Sequence, residues 1–489
     1  MKRRSGLIGS VRATRRVKWV AVAEKVDDEP ESQQLGLSWA DLLPLDIIAH
    51  ILMRLPIKYV FICKCVCRSW KAMISDPYFA KLHFQHAPFG FMIRIFSGDR
   101  MSRILHLAEY EPEKFENVDD DQLCGCGDFF MKPECNNHLK LEHKFMLPLS
   151  SANRDETKKR GRPRRCNPKD DTLRMVNSCN GFLCLCDLTG VYFVVCNPVT
   201  GEFIRLPKAT RIDLTNKPLE QKLYFGFGFQ PKTNEYKVVR IHRRWGGRDR
   251  ENIMEFEMHT LGASTWRNLG VVYTYFDQLR FPTCVSGALH WIGSYQTKLT
   301  ILCFDFESDE GIKSFPSPPH LSKNNIANIT MGELRGSLYI CDSSSMDTPI
   351  RIWIMEKYGV EESWSPVFSV DTMSRHRWPY SGLYWFVKQF NNGAAILLFH
   401  SSNCFIYYEP KSYGFKVFKL RGGESAFEVI SHIPSLTSLK GAVKGDNIEV
   451  LNVHSRCAKF NLEEENEVLF MAKVKEVTNM HCISSDDEE

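Results

Sequence analysis

The segment that decides the fold of the amino-terminal part is LLPLDIIAHILMRLP, residues 42–56. Its apolar residues recur at the spacing that places side chains on one broad face of a helix: Ile47, Ile48, Ile51, Leu52 and Leu55. Pro44 fits the first turn of this helix, where a missing N–H costs nothing, and Pro56 ends it. The segment therefore predicts a short amphipathic helix.

Three further short helices are predicted after it. The second runs through Lys58–Cys63, the third carries Val66, Cys67, Trp70, Met73 and Ile74, and Asp76-Pro77 provides the N-cap and first-turn proline of the fourth. A segment of about 43 residues is near the size below which a domain rarely stands alone. We therefore expect a partner protein to cover its apolar surface. The alternative is that these helices pack on the remainder of their own chain.

From residue 172 onwards the chain becomes a long series of short strands. Each unit has an alternating apolar strand, a turn built on Pro, Gly, Asp or Asn, and a second strand. The markers Glu257, Asp305, Met355 and Tyr408 of four successive units stand 48, 50 and 53 residues apart. A period of 40–50 residues indicates propeller blades, although a β-sandwich with irregular strands is an alternative. The repeat does not fix the number of blades.

The helical segment resembles an F-box, over residues 43–79. The match rests on the order of proline, apolar, basic and tryptophan positions, and Tyr59-Val60 is a mild departure. The resemblance implies binding to the Skp-type adaptor of a Skp–cullin–F-box ubiquitin ligase and, through it, to cullin and RING subunits. The residues that it places against the adaptor are Leu43, Pro44, Ile47, Ile51, Leu52, Leu55, Pro56, Val60, Cys67 and Trp70.

The strand region resembles the plant F-box-associated domain, which is related to Kelch arrays. The matching pieces are Asn177-Ser-Cys-Asn-Gly181, Cys196-Asn-Pro198, Phe225-Gly-Phe-Gly-Phe229 and Gly287-x-Leu-His-Trp291. This resemblance implies that the strand domain binds the protein to be ubiquitinated. No motif names that target.

These observations divide the chain into five regions. We expect a disordered basic tail (1–36), an F-box (37–88), a connecting region with an acidic Cys-rich loop and a basic insertion (89–171), an F-box-associated β domain (172–475) and an acidic tail (476–489). The predicted fold is thus a small all-α F-box followed by an all-β, propeller-like domain of the Kelch-related kind.

The basic insertion contains Arg160-Gly161-Arg162-Pro163, the core sequence of an AT-hook. An extended strand shaped by glycine and proline can place both arginines in a narrow A·T minor groove, where the negative potential is deepest. The alternative function is accordingly a chromatin-associated protein that contacts A·T-rich DNA weakly. A nuclear-import signal and a solvated linker are further explanations of the same residues.

The sequence carries no sign of catalysis or of a cofactor. There is no Walker-type loop, no G-x-S-x-G elbow and no H-E-x-x-H motif, so we expect a non-catalytic receptor subunit. Cys124, Cys126, Cys135, His138 and His143 fit no standard zinc spacing, and we expect no metal. The 17 cysteines without a signal peptide indicate a reducing compartment, the nucleus or cytoplasm, and no apolar run is long enough to span a membrane.

Overall fold

The structure is a computed structural model. It describes residues 44–88, 90–97, 100–109, 138–139, 143–147, 173–212, 221–245, 252–274, 276, 278–295, 298–308, 311–319, 328–343, 349–370, 382–390, 395–401, 404–410, 414–420, 427–444 and 449–453. The chain divides into two compact units, residues 1–48 and 49–489. None of the helices in these ranges is long and apolar enough to cross a membrane.

Four short helices form where the sequence predicts them: α1 (Leu45–Leu52), α2 (Ile57–Cys63), α3 (Arg68–Ile74) and α4 (Pro77–His86). Asp76 caps α4, because its side chain accepts a hydrogen bond of 2.7 Å from the Tyr78 amide. Pro56 plays a different part from the one expected. The first helix ends at Leu52, and Pro56 is the N-cap residue of α2, with φ −53°.

Strands make up most of the remaining described residues. In chain order they are β1 (Gly90–Ser97), β2 (Arg100–Glu109), β3 (His138–Leu139), β4 (His143–Met146), β5 (Arg174–Cys179), β6 (Phe182–Cys186), β7 (Phe193–Asn197), β8 (Glu202–Arg205), β9 (Gln221–Gln230), β10 (Glu235–Trp245), β11 (Asn252–Thr260), β12 (Arg267–Thr274), β13 (Gln278–Val285), β14 (Ala288–Tyr295), β15 (Lys298–Asp305), β16 (Ile312–Phe315), β17 (Ile329–Leu334), β18 (Ser337–Asp342), β19 (Ile350–Met355), β20 (Trp364–Val370), β21 (Tyr384–Phe390), β22 (Ala395–His400), β23 (Cys404–Glu409), β24 (Gly414–Leu420), β25 (Phe427–His432) and β26 (Leu451–Asn452). A 3₁₀ turn (Glu361–Ser363) and a one-turn helix, α5 (Leu439–Ala442), complete the elements.

The strands form the six blades of a β-propeller. From the innermost strand outwards the sheets are β25-β1-β2-β4, β5-β6-β7-β8-β26, β9-β10-β11-β12, β13-β14-β15-β16, β17-β18-β19-β20 and β21-β22-β23-β24-β3. The innermost strands contact one another in the order β25, β5, β9, β13, β17 and β21. The propeller-like fold class is therefore confirmed, and the number of blades is six.

The unit markers predicted from the sequence all fall on the same part of the blade. Glu257, Asp305, Met355 and Tyr408 lie in β11, β15, β19 and β23, each of which is the third strand of its sheet. The third strand is paired on both sides in every one of these sheets. The repeat seen in the sequence is the repeat of the blades.

One blade joins distant parts of the chain. Strand β25 pairs antiparallel with β1, from Gly90 opposite His432 to Ile95 opposite Phe427. Strands also form within residues 90–146, part of the region 89–171 that the sequence indicated as a connection. The propeller therefore uses strands from both sides of the expected domain boundary.

The inner edge of β9 is protected by side chains from neighbouring blades. The Asn177 amide donates to the Phe227 carbonyl and accepts from the Phe227 N–H, both at 2.8 Å. Trp291 donates to the Phe225 carbonyl at 3.2 Å, and the Phe229 N–H donates to the Cys284 sulfur at 3.3 Å. Backbone groups that an edge strand would leave open are thus paired, and the blades are joined to each other.

The two ends of the propeller differ in their connections. At one end, here the turn end, two-residue turns with left-handed backbone join strands: Asn180-Gly181, Ser286-Gly287 and Arg335-Gly336. At the other, the loop end, the outermost strands β8, β16 and β20 start their paths to the next blades, whose innermost strands β9, β17 and β21 begin at this end. Helix α4 lies at the turn end, since β1 starts at Gly90 beside His432, the last residue of β25.

Candidate docking surfaces of the helices and the propeller

The first helix exposes large apolar side chains. Leu45 is 54% exposed, Ile47 47% and Ile51 53%. Ile47 and Ile51 are one helical turn apart and so lie on one face of α1. Free apolar area of this size on an eight-residue helix is typical of a surface that another protein covers.

Other predicted adaptor-binding residues are accessible to different degrees. Pro44 and Cys67 are exposed, whereas Leu55, Pro56 and Trp70 are half-buried. Leu43 lies outside the described residues. The five described side chains can all offer at least part of their surface to a partner.

Two of the predicted contact residues, Leu52 and Val60, are buried in this structure. Leu52 is 2% exposed and Val60 is 0% exposed, so neither presents a side chain to a partner in this conformation. Ile57, one turn before Val60 in α2, belongs to the same buried cluster as Met92 and Leu105 of the propeller. The buried face of α2 therefore holds this helix to its own chain.

The helices and the turn between α2 and α3 also expose apolar residues outside the predicted adaptor-binding set. Besides Leu45 these are Tyr59, Phe61, Ile62, Val66 and Tyr78. Helical spacing shows that such residues share a face with others, but it does not show which of two apolar faces the rest of the chain covers. These residues extend the set available for contact.

Helix α4 packs at the turn end through buried side chains. His83 is fully buried, and its Nε2 is 3.0 Å from the Leu55 carbonyl oxygen. Burial lowers the pKa of His83, so the ring is neutral at neutral pH. Phe84 lines a cavity of about 380 Å³ at the turn end, together with residues of the inner strands.

The turn-end cavity has a polar floor. His432, 1% exposed, has its Nδ1 2.8 Å from the Ser178 hydroxyl oxygen. Burial lowers the pKa of His432 to about 3, and burial also raises the pKa of Glu333, which lines the same cavity. Both shifts favour the uncharged forms. The described residues that line this cavity can therefore form hydrogen bonds with neutral polar groups.

A second cleft, of about 480 Å³, opens at the loop end between β5, β9 and β13. We call it the loop-end cleft. Its border includes Arg174, Leu188, Leu223, Arg280 and Phe281. The lining is mostly apolar, with cationic groups at the border.

Hydrogen bonds fix one wall of the loop-end cleft. Asp187 Oδ1 accepts from the amides of Val191 and Tyr192, both at 2.9 Å. Gly190 in this turn has φ +68°, and a Cβ there would lie 2.7 Å from Leu223 Cδ1. The turn is thereby pressed against β9, and Leu188 projects from it, 54% exposed.

The opposite wall contains a strained residue. Phe281 has φ +56°, a backbone conformation that bulky residues rarely adopt. It sits where the register of β13 against β14 shifts, and its ring packs edge-on against Trp385 at 6.3 Å. The Arg280 guanidinium lies 5.1 Å from the Phe281 ring centroid. Strain of this kind persists where the surroundings enforce it and is often found at functional sites.

An acidic group at the base of the cleft is neutralised locally. Glu428 Oε2 is 3.6 Å from Arg94 Nη1, and Oε1 accepts from the Met175 amide at 3.0 Å. Burial raises the pKa of Glu428, against the opposing effect of Arg94. The carboxyl group therefore contributes little negative charge to the cleft.

The remaining sequence predictions about sites are not tested. Arg160, Gly161, Arg162 and Pro163 lie outside the described residues, as do Cys124, Cys126 and Cys135. His138 and His143 fall in β3 and β4. Within the part of the chain that the structure describes, no group of three or more His, Cys, Asp or Glu side chains could hold a metal ion.

Comparison with known proteins matches both parts of the chain. Residues 41–82 match the F-box domain, and residues 137–441 match the F-box associated beta propeller domain. An F-box protein of Arabidopsis thaliana is 27% identical over 453 residues, 84% of this chain and 95% of the relative. An F-box/kelch-repeat protein from the same plant is 25% identical, over 74% of this chain and 88% of its own. Another Arabidopsis thaliana F-box protein is 26% identical, over 67% of this chain and 79% of its own. With more than half of its length matched, the chain belongs to the family of F-box proteins with an F-box associated beta propeller domain.

Proposed function

We propose that this protein is the substrate-recognition subunit of a Skp–cullin–F-box ubiquitin ligase. Its helices bind the Skp-type adaptor, and its propeller binds the protein to be ubiquitinated. The observation that carries the proposal is the exposed apolar face of α1, with Ile47 and Ile51 about half exposed in a segment that matches the F-box domain.

The physical basis of adaptor binding is hydrophobic burial. About half of Ile51 is exposed (53%), and hiding roughly 90 Å² of apolar area contributes about 2 kcal/mol. That free energy corresponds to roughly 30-fold in affinity. Several such side chains on short helices suffice for a specific contact.

In this proposal the chain contributes proximity and no chemistry of its own. The adaptor links it to cullin and RING subunits, which perform the transfer of ubiquitin. Holding a target near the transferring subunits raises the effective concentration of its lysines. The protein needs no cofactor for this role.

The proposal is tested by measuring how tightly the Ile51→Asp variant and the unchanged protein each bind a purified Skp-type adaptor. We expect at least about 30-fold weaker adaptor binding, because the variant loses apolar area and buries a charge. Its fold should persist, since Ile51 is exposed. Val367→Asp is the matched control, because Val367 is an exposed apolar residue of β20, and it should bind the adaptor normally. A folded Ile51→Asp protein that still captures the adaptor with full affinity would contradict the proposal.

The alternative, contact of Arg160 and Arg162 with A·T-rich DNA, stays a prediction, as does residence in the nucleus or cytoplasm.

A further inference from the structure

We infer that the loop-end cleft receives an acidic segment of the target protein, with one apolar side chain of that segment inserted between Leu188 and Phe281. The inference deepens the proposed function and rests on it for the fate of the bound protein. It names the end of the propeller that binds and the chemistry that is bound.

The position of the helices favours the loop end as the part of the propeller that binds the target. At the turn end, Phe84 of α4 already lines the turn-end cavity. The two-residue turns at this end project little from the blades. A large partner approaching that end would meet α4. Among the described residues, no helix lies next to the loop-end cleft.

The charges at the loop end favour an acidic ligand. Of the side chains that the structure describes there, the exposed charged ones are basic: Arg174, Lys208, Arg211, Lys222 and Arg244. Arg244 is paired with the partly exposed Glu255, so the other four carry the positive charge of this end. The two acidic residues that line the cleft are engaged, Asp187 by backbone amides and Glu428 by Arg94. The turn end, in contrast, exposes acids such as Asp305, Glu307 and Glu361 among its cations. A field of one sign at the border of a cleft attracts a ligand of the opposite sign.

The cleft itself provides an apolar anchor site with fixed walls. Leu188 stands on a turn that Asp187 holds in place, and Phe281 is held in a strained conformation by its packing against Trp385. Walls that are already ordered lose little entropy on binding, so a single inserted side chain can contribute strongly. Cationic groups around such a site then select the residues that flank the anchor.

The test uses the full-length protein and three short synthetic peptides, each with a central leucine flanked by Asp/Glu, by Ser/Gly or by Lys/Arg. At low ionic strength we expect fluorescence anisotropy to show the tightest binding for the acidic peptide, with affinity falling as salt is added. The double variant Arg174→Glu/Lys222→Glu should bind the acidic peptide about tenfold more weakly. Leu188→Asp should also weaken binding, through loss of the anchor site.

Lys357→Glu/Lys440→Glu is the matched control, because both lysines are exposed at the turn end and the change in net charge is the same. It should leave peptide affinity unchanged. The inference is overturned if the acidic peptide binds no better than the Ser/Gly peptide, or if the two charge variants lose affinity equally. Tighter binding of an A·T-rich duplex at the same site would overturn the assignment of a protein ligand.

Adaptor capture by the same variants separates the two proposals. Arg174→Glu/Lys222→Glu should capture the Skp-type adaptor normally, since both residues lie in the propeller. If the unchanged protein fails to capture the adaptor while peptide binding still depends on Arg174 and Leu188, the ligase role fails and the docking site stands.

Discussion

Replacement of Asn177 by alanine tests how the blades of this propeller are joined. The Asn177 side chain is 6% exposed, and both of its hydrogen bonds go to the backbone of Phe227, in the next blade, at 2.8 Å. Each bond contributes about 1 kcal/mol net, and a buried backbone group left without a partner costs a further ~1–3 kcal/mol. Partial hydration from the turn-end cavity, which Asn177 lines, reduces that penalty. We therefore expect the free energy of unfolding to fall by about 3 kcal/mol.

Urea unfolding measures this loss, and hydrogen exchange at the Phe227 amide locates it. The control is Asn268→Ala, since Asn268 is exposed and its side chain accepts one hydrogen bond, of 2.7 Å, from the Gly270 amide. This control should cost about 0.5 kcal/mol or less. If Asn177→Ala costs no more than the control and the Phe227 amide stays protected, the side chain does not join the two blades as described.

Two further predictions concern the turn end. Gly181→Ala should cost more than about 3 kcal/mol in thermal unfolding, because φ is +79° and the new Cβ would lie 2.2 Å from Ser435 Cβ. Gly336→Ala, at φ +86° with nothing within 4 Å, should cost only about 1 kcal/mol, and equal losses would argue against the clash. Burial lowers the pKa of His432 to about 3, so the unfolded chain binds the proton more readily, and this histidine should destabilise the protein by about 1.4 kcal/mol per pH unit as the pH falls from about 6.5 towards 3. His432→Gln should therefore lose less stability than the unchanged protein in urea unfolding at pH 5 relative to pH 7, and identical losses would contradict this account.

Features with a local cause could be predicted from the sequence. Asp76-Pro77 starts a helix because capping and first-turn geometry involve only neighbouring residues. The blade repeat was visible for a similar reason, since each blade is a run of consecutive strands with its own turns. The left-handed turn at Gly287 belongs to the same class of local signals.

Features that depend on distant residues could not be predicted in this way. The pairing of β25 with β1 leaves no local pattern, so neither the number of blades nor the extent of the propeller before residue 172 could be predicted from the sequence. The burial of Leu52 and Val60 is a second case, because helical spacing identifies residues on one face without identifying what covers that face. The strain at Phe281 arises from a register shift between strands, for which the residues themselves give no warning.

The union of β25 with β1 has a consequence for how the protein is made. On the ribosome, β1 is synthesised early, but its inner neighbour emerges only when residue 432 has left the exit tunnel. Until then the nascent chain carries an unpaired strand edge that can join another polypeptide. A truncated mRNA that ends before the codon for residue 432 would encode a propeller without the complete innermost strand of one blade. We expect chaperones and proteases to act on such a product, which would not work as a smaller receptor.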